Sequence, residues 1–187
     1  RLQGHPDMLK LPGIDISTGS LGMGLSAGLG MALAATQLGQ EFTTFVVMGD
    51  GEVQEGSVWE AAHVAPRYKA DNLVGIVDYN RFQQFGWRGA DAADRLPPEE
   101  PGDLVARFKA FGWRVLEMNG NDMNEVVATL EEAKRPTGLP TAVISNTLKG
   151  FGVSFMAGQY KWHMGVPTEE EFAIAMRDLG ESDGGEA

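Results

Sequence analysis

Short apolar runs recur along this chain at the spacing of buried strands, and longer stretches of mixed or helical periodicity separate them. Residues 43–48, 73–78, 113–118 and 141–146 predict four strands, the first of them ending the apolar run FTTFVVM. Residues 21–38, LGMGLSAGLGMALAATQL, are apolar almost all round and rich in Gly and Ala, which predicts a helix packed closely on several sides. A membrane span is the competing reading, but the stretch is short, rich in glycine and followed at once by a strand signal. Residues 55–69 predict a second helix, and residues 124–135 a third through the spacing of Val126, Val127, Leu130 and Ala133. Residues 103–111 predict a short helix capped by Asp103, and residues 168–179 a terminal one. Strands alternating with helices predict an α/β domain, a parallel sheet flanked by helices.

Two irregular segments interrupt this alternation. Residues 81–101 carry Gly86, Gly89, Pro97, Pro98 and Pro101 and are too long for an idle connection, so they are expected to serve function or meet a partner. The loop KGFGVSFMAGQYKWHMGVP follows from Lys149. Residues 1–180 are expected to form one domain, with residues 181–187, ESDGGEA, as a disordered acidic tail. A length of 187 residues and 43% hydrophobic content suit one substantial core. A net charge of −11 argues against a nucleic-acid partner, although a locally basic funnel for a phosphorylated substrate remains compatible with it. The chain has no cysteine, hence no disulfide framework, and no signal peptide or bilayer-length apolar run, so a cytoplasmic protein is expected. It begins with Arg1 and enters a motif directly, which points to further residues upstream.

The chemistry concentrates in GDGEVQEG, residues 49–56, and in the strand-like run LVGIVDYN that ends at Asn80. Asn80 lies 30 positions after Asp50, the length of one loop, one helix and one strand. That spacing returns the chain to the same edge of a parallel sheet, the carboxyl edge at which open α/β sheets bind ligands. Magnesium takes hard oxygen donors and shares them with phosphates, so a carboxylate, an amide oxygen and a backbone carbonyl would leave room for two phosphate oxygens and a water. Glycines beside Asp50 admit a diphosphate, and a helix beginning near Glu55 adds the partial positive charge of its amino end. Alone, GDG is more often a turn; the acid, amide and helix at this spacing favour a site.

The order GDG, helix, strand, Asn is the thiamin diphosphate motif. With GHPD at residues 4–7, STGSLGMG at 17–24 and GDGEVQEGSVWEAA at 49–62, the chain resembles transketolase. More closely, it resembles the amino-terminal subunit of split transketolases. The resemblance implies a thiamin diphosphate and Mg2+ cofactor pair, with Asp50, Asn80 and the carbonyl of Phe82 as metal ligands. It places Gly49, Gly51 and Glu52 against the diphosphate region, and Gly19, Leu21 and Gly22 beside the cofactor, with Leu21 touching its rings. Without the resemblance, the Ser and Gly residues of that segment read equally well as a helix cap.

The resemblance also implies catalytic parts. Glu55 and Glu60 would belong to a cluster of acids at a subunit interface, where carboxylates raise one another's pKa and pass protons. His5 matches the histidine of GHP that faces the sugar, while His63 is expected to pack or meet solvent. His163 lies in a loop that similar proteins fold over the diphosphate or substrate, and many relatives carry a second histidine where this chain has Met164. The family's activating glutamate lies in a second domain, and the two histidines upstream of GHP are absent here. The expected partner is therefore a carboxyl-terminal subunit, in an assembly of two copies of each chain, acting on sugar phosphates. A 1-deoxyxylulose phosphate synthase relative and a non-catalytic module on the same fold are the alternatives.

Overall fold

The computed structural model describes residues 4–83 and 101–180. The elements are α1 (Met23–Leu38), β1 (Thr44–Gly49), α2 (Gly56–Arg67), β2 (Leu73–Tyr79), α3 (Pro101–Ala110), β3 (Arg114–Asn119), α4 (Met123–Ala133), β4 (Thr141–Asn146) and α5 (Glu169–Asp178). A short 3-10 turn, Glu52–Gln54, joins β1 to α2, and another, Tyr160–His163, precedes α5. The long segment predicted at 81–101 and the acidic tail lie almost wholly outside the described residues.

All four predicted strands are present within a residue or two of their predicted bounds. They form one parallel sheet in the order β1-β2-β4-β3. Residues one apart on a strand face opposite sides of the sheet, and the two sides differ. Leu73, Val77, Ala142, Ile144 and Met48 pack with Leu25 and Leu29 of α1, Val58 and Ala62 of α2, and Leu104 and Phe108 of α3 in the main core. On the other side, Val74, Val143 and Met118 pack with Ala133 of α4 in a smaller cluster. Phe45 and Val47 of edge strand β1 stay exposed on that second side, Val47 at 70%.

Three expectations change. Among the described residues helix α1 packs along one face rather than several: it buries Leu25, Gly28, Leu29, Ala32 and Ala35, and leaves Met23 and Leu38 exposed. Gly28 serves close approach to β1, since a Cβ there would lie 2.3 Å from Val46 Cγ2. Asp103 does not cap α3, which begins two residues earlier at Pro101, where a proline suits the first helical position. Glu55 stands at the cap position of α2 in extended backbone rather than inside the helix, and its side chain makes no capping bond.

Helix α5 opens on a reciprocal capping box between Thr168 and Glu171. Its far end is tied to the preceding loop by the Asp178 carboxylate, which accepts from the Ser154 hydroxyl at 2.6 Å and the Ser154 N–H at 2.7 Å. Those two bonds, with the Arg177 charge, hold the Asp178 carboxyl below its usual 3.8. A depressed acid contributes stability above the unfolded value and loses it as pH falls through the folded value. Asp178→Ala should therefore speed amide exchange of α5 at neutral pH, and the gap from wild type should close at pH below 3.8. A gap that persists in strong acid would show that the tie is not ionic.

Candidate functional site

The parallel pairing of β1 with β2 sets Gly49 beside Asp78, so both strands deliver their next residues to one carboxyl edge. Asp50 follows β1 there and Asn80 follows β2. Asp50 is buried, only 3% exposed, yet has no ion-pair partner among the described residues. Its Oδ1 accepts from the Gly51 N–H at 2.8 Å and its Oδ2 from the Arg81 N–H at 2.7 Å. Burial pushes its carboxyl above the usual 3.8; the Arg81 and Gly51 N–H groups pull it down, the Asp78 charge raises it and Lys149 lowers it.

Asn80 lies one residue from that Arg81 contact. Its Oδ1 accepts from the Phe82 N–H at 2.9 Å and its Nδ2 donates to Asp78 Oδ2 at 3.2 Å. Arg81 between them has φ +67°, a left-handed turn that reverses the chain around the Asp50 carboxylate. Gln83 closes the turn: its Nε2 donates to the Asp50 carbonyl at 3.4 Å, and its Oε1 accepts from Gln54 Nε2 at 2.7 Å. Asp50, Asn80 and Phe82 are thus brought together. A buried carboxylate, an amide oxygen and a backbone carbonyl on one turn are a donor set that could hold a hard cation such as magnesium. Among the described residues no cluster of three His, Cys, Asp or Glu offers a competing metal site.

The predicted cofactor segment meets the same edge. Gly22, at the amino end of α1, has φ +82°, and a Cβ there would lie 2.6 Å from both Glu55 Cβ and Ser57 Oγ. Its carbonyl accepts from Ser57 Oγ at 3.1 Å. Its N–H donates to Glu52 Oε1 at 2.9 Å, while Glu52 Oε2 accepts from the Gly49 N–H at 3.2 Å. Glu52 thus spends both carboxylate oxygens bracing the α1 end against the β1 end, and Gly51 sits on the turn between them. Leu21 is 61% exposed, an apolar side chain standing beside this edge.

The other predicted residues are placed less centrally. The His5 ring lies against Gly19, where a Cβ would come to 2.8 Å from Cδ2. Glu55 and Glu60 are both exposed, one at the start of α2 and one along it. His163 is exposed and stacks on Tyr160 with ring centroids 6.3 Å apart. His63 is exposed and meets the edge of Phe111, as expected of a residue that packs or meets solvent. Sequence reasoning passed over Asp78, Gln83 and Thr147; the only signal was an acid two positions before Asn80, on the same side of the strand.

Residues 1–183 match the family described as transketolase, thiamine diphosphate binding domain. One of the subunits of the apulose-4-phosphate transketolase of Phocaeicola vulgatus is 46% identical over 180 residues, which cover 96% of this chain and 61% of that protein. The 6-deoxy-6-sulfo-D-fructose transketolase subunit SqwG of a Clostridium species is 40% identical over 178 residues, 95% of this chain and 62% of that one. The crystal structure of transketolase from Campylobacter jejuni superposes with a TM-score of 0.79 at 32% identity, over 95% of this chain and 28% of the other. The chain therefore spans about three fifths of the length of the subunit-type relatives it matches. No helix among the described residues is long and apolar enough to cross a membrane.

Proposed function

Because this chain belongs to the transketolase family, through its thiamine-diphosphate-binding domain, we propose that it acts as the amino-terminal subunit of a two-polypeptide transketolase. In that role it helps to move a two-carbon ketol unit from a ketose phosphate to an aldose phosphate. The observation that carries the reading is the buried Asp50 carboxylate, held among the described residues by backbone N–H groups, beside Asn80 at the carboxyl edge of adjacent parallel strands. Asp50, the Asn80 amide oxygen and the Phe82 carbonyl would hold Mg2+, and Gly51 would leave room for the diphosphate. Thiamin diphosphate, when bound, supplies the carbanion chemistry that cleaves the ketose.

This chain's own residues then bind and orient. Glu52 keeps the 19–22 segment and the end of β1 in register, so that Leu21 and Gly51 face one ligand together. In this reading His5 and His163 would meet the sugar phosphate, and Glu55 and Glu60 would share protons across a subunit boundary. Exposed Leu21, Met23, Phe45 and Val47 supply apolar surface for such a boundary. The carboxyl-terminal subunit completes the site, in an assembly of two copies of each chain.

The test is a two-carbon transfer assay with thiamin diphosphate and Mg2+. The equimolar mixture of the two subunits should turn over while each alone stays at background, and chelation of Mg2+ should abolish the rate. A rate from the chain alone, or none from any mixture that demonstrably assembles, would contradict the proposal.

A further inference from the structure

The Asn80 amide presents two chemically opposite faces, and only its oxygen can ligate a cation. Which way it points depends on the acceptor of its NH2 group as well as on the Phe82 N–H that donates to its oxygen at 2.9 Å. Here that acceptor is Asp78 Oδ2, at 3.2 Å. A carboxylate oxygen accepts from an NH2 group, so Asp78 holds the amide nitrogen from one side while the Phe82 N–H holds its oxygen, which keeps a second lone pair for a cation. Asp78 is itself fixed from the other side, because the Thr147 hydroxyl donates to its Oδ1. The Thr147 N–H also donates to the Tyr79 carbonyl at 3.3 Å, which ties the exit of β4 to the end of β2. The close approach of Gly120, where a Cβ would lie 2.5 Å from Thr147 Cγ2, limits where Thr147 can go.

We propose that Asp78 is a positioning residue for the metal site, setting the orientation of the Asn80 amide from an anchor on Thr147. It acts through Asn80 rather than as a ligand: one of its carboxylate oxygens holds the Asn80 amide and the other is held by the Thr147 side chain. The inference rests on the proposed Mg2+ site at Asp50 and Asn80. In Asp78→Asn the residue offers an amide of its own, whose NH2 group can face that of Asn80 and lets the amide turn its nitrogen to the cation. Exchanging the two residues, Asp78→Asn with Asn80→Asp, restores a donor–acceptor pair and keeps an oxygen toward the cation at unchanged net charge.

The experiment is calorimetric titration of Mg2+ into the full chain assembled with its carboxyl-terminal subunit, with thiamin diphosphate at saturation. Apo unfolding of each variant is recorded alongside as a control for folding. Asp78→Asn should raise the Mg2+ Kd about 10–100-fold, the range for loss of a ligand-orienting partner. The exchanged pair should recover most of that loss. Thr147→Val, which leaves the Asp78 charge in place, should weaken Mg2+ several-fold, and Thr147→Ser should restore it. Wild-type affinity in Asp78→Asn, or no recovery in the exchanged pair, would overturn the inference, as would an unchanged Thr147→Val, which would reduce Asp78 to a nearby charge. Absence of any Mg2+ binding by the wild-type assembly would instead remove the metal site on which the inference rests.

Discussion

Asp50→Asn should leave the cofactor-free chain close to wild type in stability and abolish its stabilisation by Mg2+ and thiamin diphosphate in the assembly. The first half follows from burial, which raises the Asp50 carboxyl above 3.8. A raised acid burdens the folded state at pH above its folded value, and the burden fades as pH falls toward the unfolded one. Asparagine removes that charge but sets an NH2 donor against one of the two N–H groups that Asp50 accepts, so the gain and the loss oppose and the variant should stay close to wild type near neutrality. The second half follows from the loss of the only carboxylate proposed as a ligand. A ligand present at about 100 times its Kd stabilises the native form by about 2.7 kcal/mol. For a chain of this size that amounts to roughly 5–11 °C in Tm, all of which should vanish. Thermal unfolding with and without the cofactor pair reads both effects in one experiment.

Gly22→Ala should be the most damaging single methyl group near the site. The residue sits at φ +82°, where an L side chain costs about 1–2 kcal/mol. The new Cβ would lie 2.6 Å from Glu55 Cβ and Ser57 Oγ, and relieving such overpacking costs about 1–3 kcal/mol more. A total of about 2–5 kcal/mol corresponds to a fall of roughly 4–20 °C in Tm. The same shift would pull the Gly22 N–H from Glu52 and loosen the brace to Gly49, so cofactor affinity should fall with stability. Gly30→Ala on the same helix is the contrast. Its Cβ would meet nothing within 4 Å, and replacing a helical glycine should stabilise by about 0.5–1 kcal/mol. Equal effects at the two positions would refute the geometric account.

The sheet was legible because its strands announce themselves locally. Residues 141–146, TAVISN, centre on the apolar Ala142, Val143 and Ile144, the structure buries five of the six, and β4 occupies those same residues. The pairing of Asp50 with Asn80 was legible too, since one loop–helix–strand unit fixes the return distance. Strand order was not, because β4 inserts between β2 and β3 and no local pattern encodes that crossover. The Asp78–Thr147 contact spans 69 positions and exists only once β4 lies beside β2, which is why the sequence left it hidden. Helix α1 misled for a different reason. Its all-round apolar pattern reports the surfaces it is suited to meet, whereas a single chain buries one face and leaves Met23 and Leu38 in solvent.

Glu52 shows the same limit at short range. A carboxylate three residues after Gly49 reads naturally as part of a ligand site, yet its oxygens go to two backbone N–H groups, one of them 30 positions away. A negative group at that point supports the cofactor edge by fixing its walls. His5, by contrast, was named from its motif, and the structure sets it against Gly19 of the second motif, so two sequence words separated by over a dozen residues meet in one place.

The most direct measurement is anomalous diffraction from Mn2+ in crystals of the chain assembled with thiamin diphosphate and its carboxyl-terminal subunit. The account predicts one peak per copy of this chain, about 2 Å from a carboxylate oxygen of Asp50 and from Asn80 Oδ1, with the diphosphate against Gly51. A peak elsewhere on the chain, or a bound cofactor with no metal between Asp50 and Asn80, would contradict it.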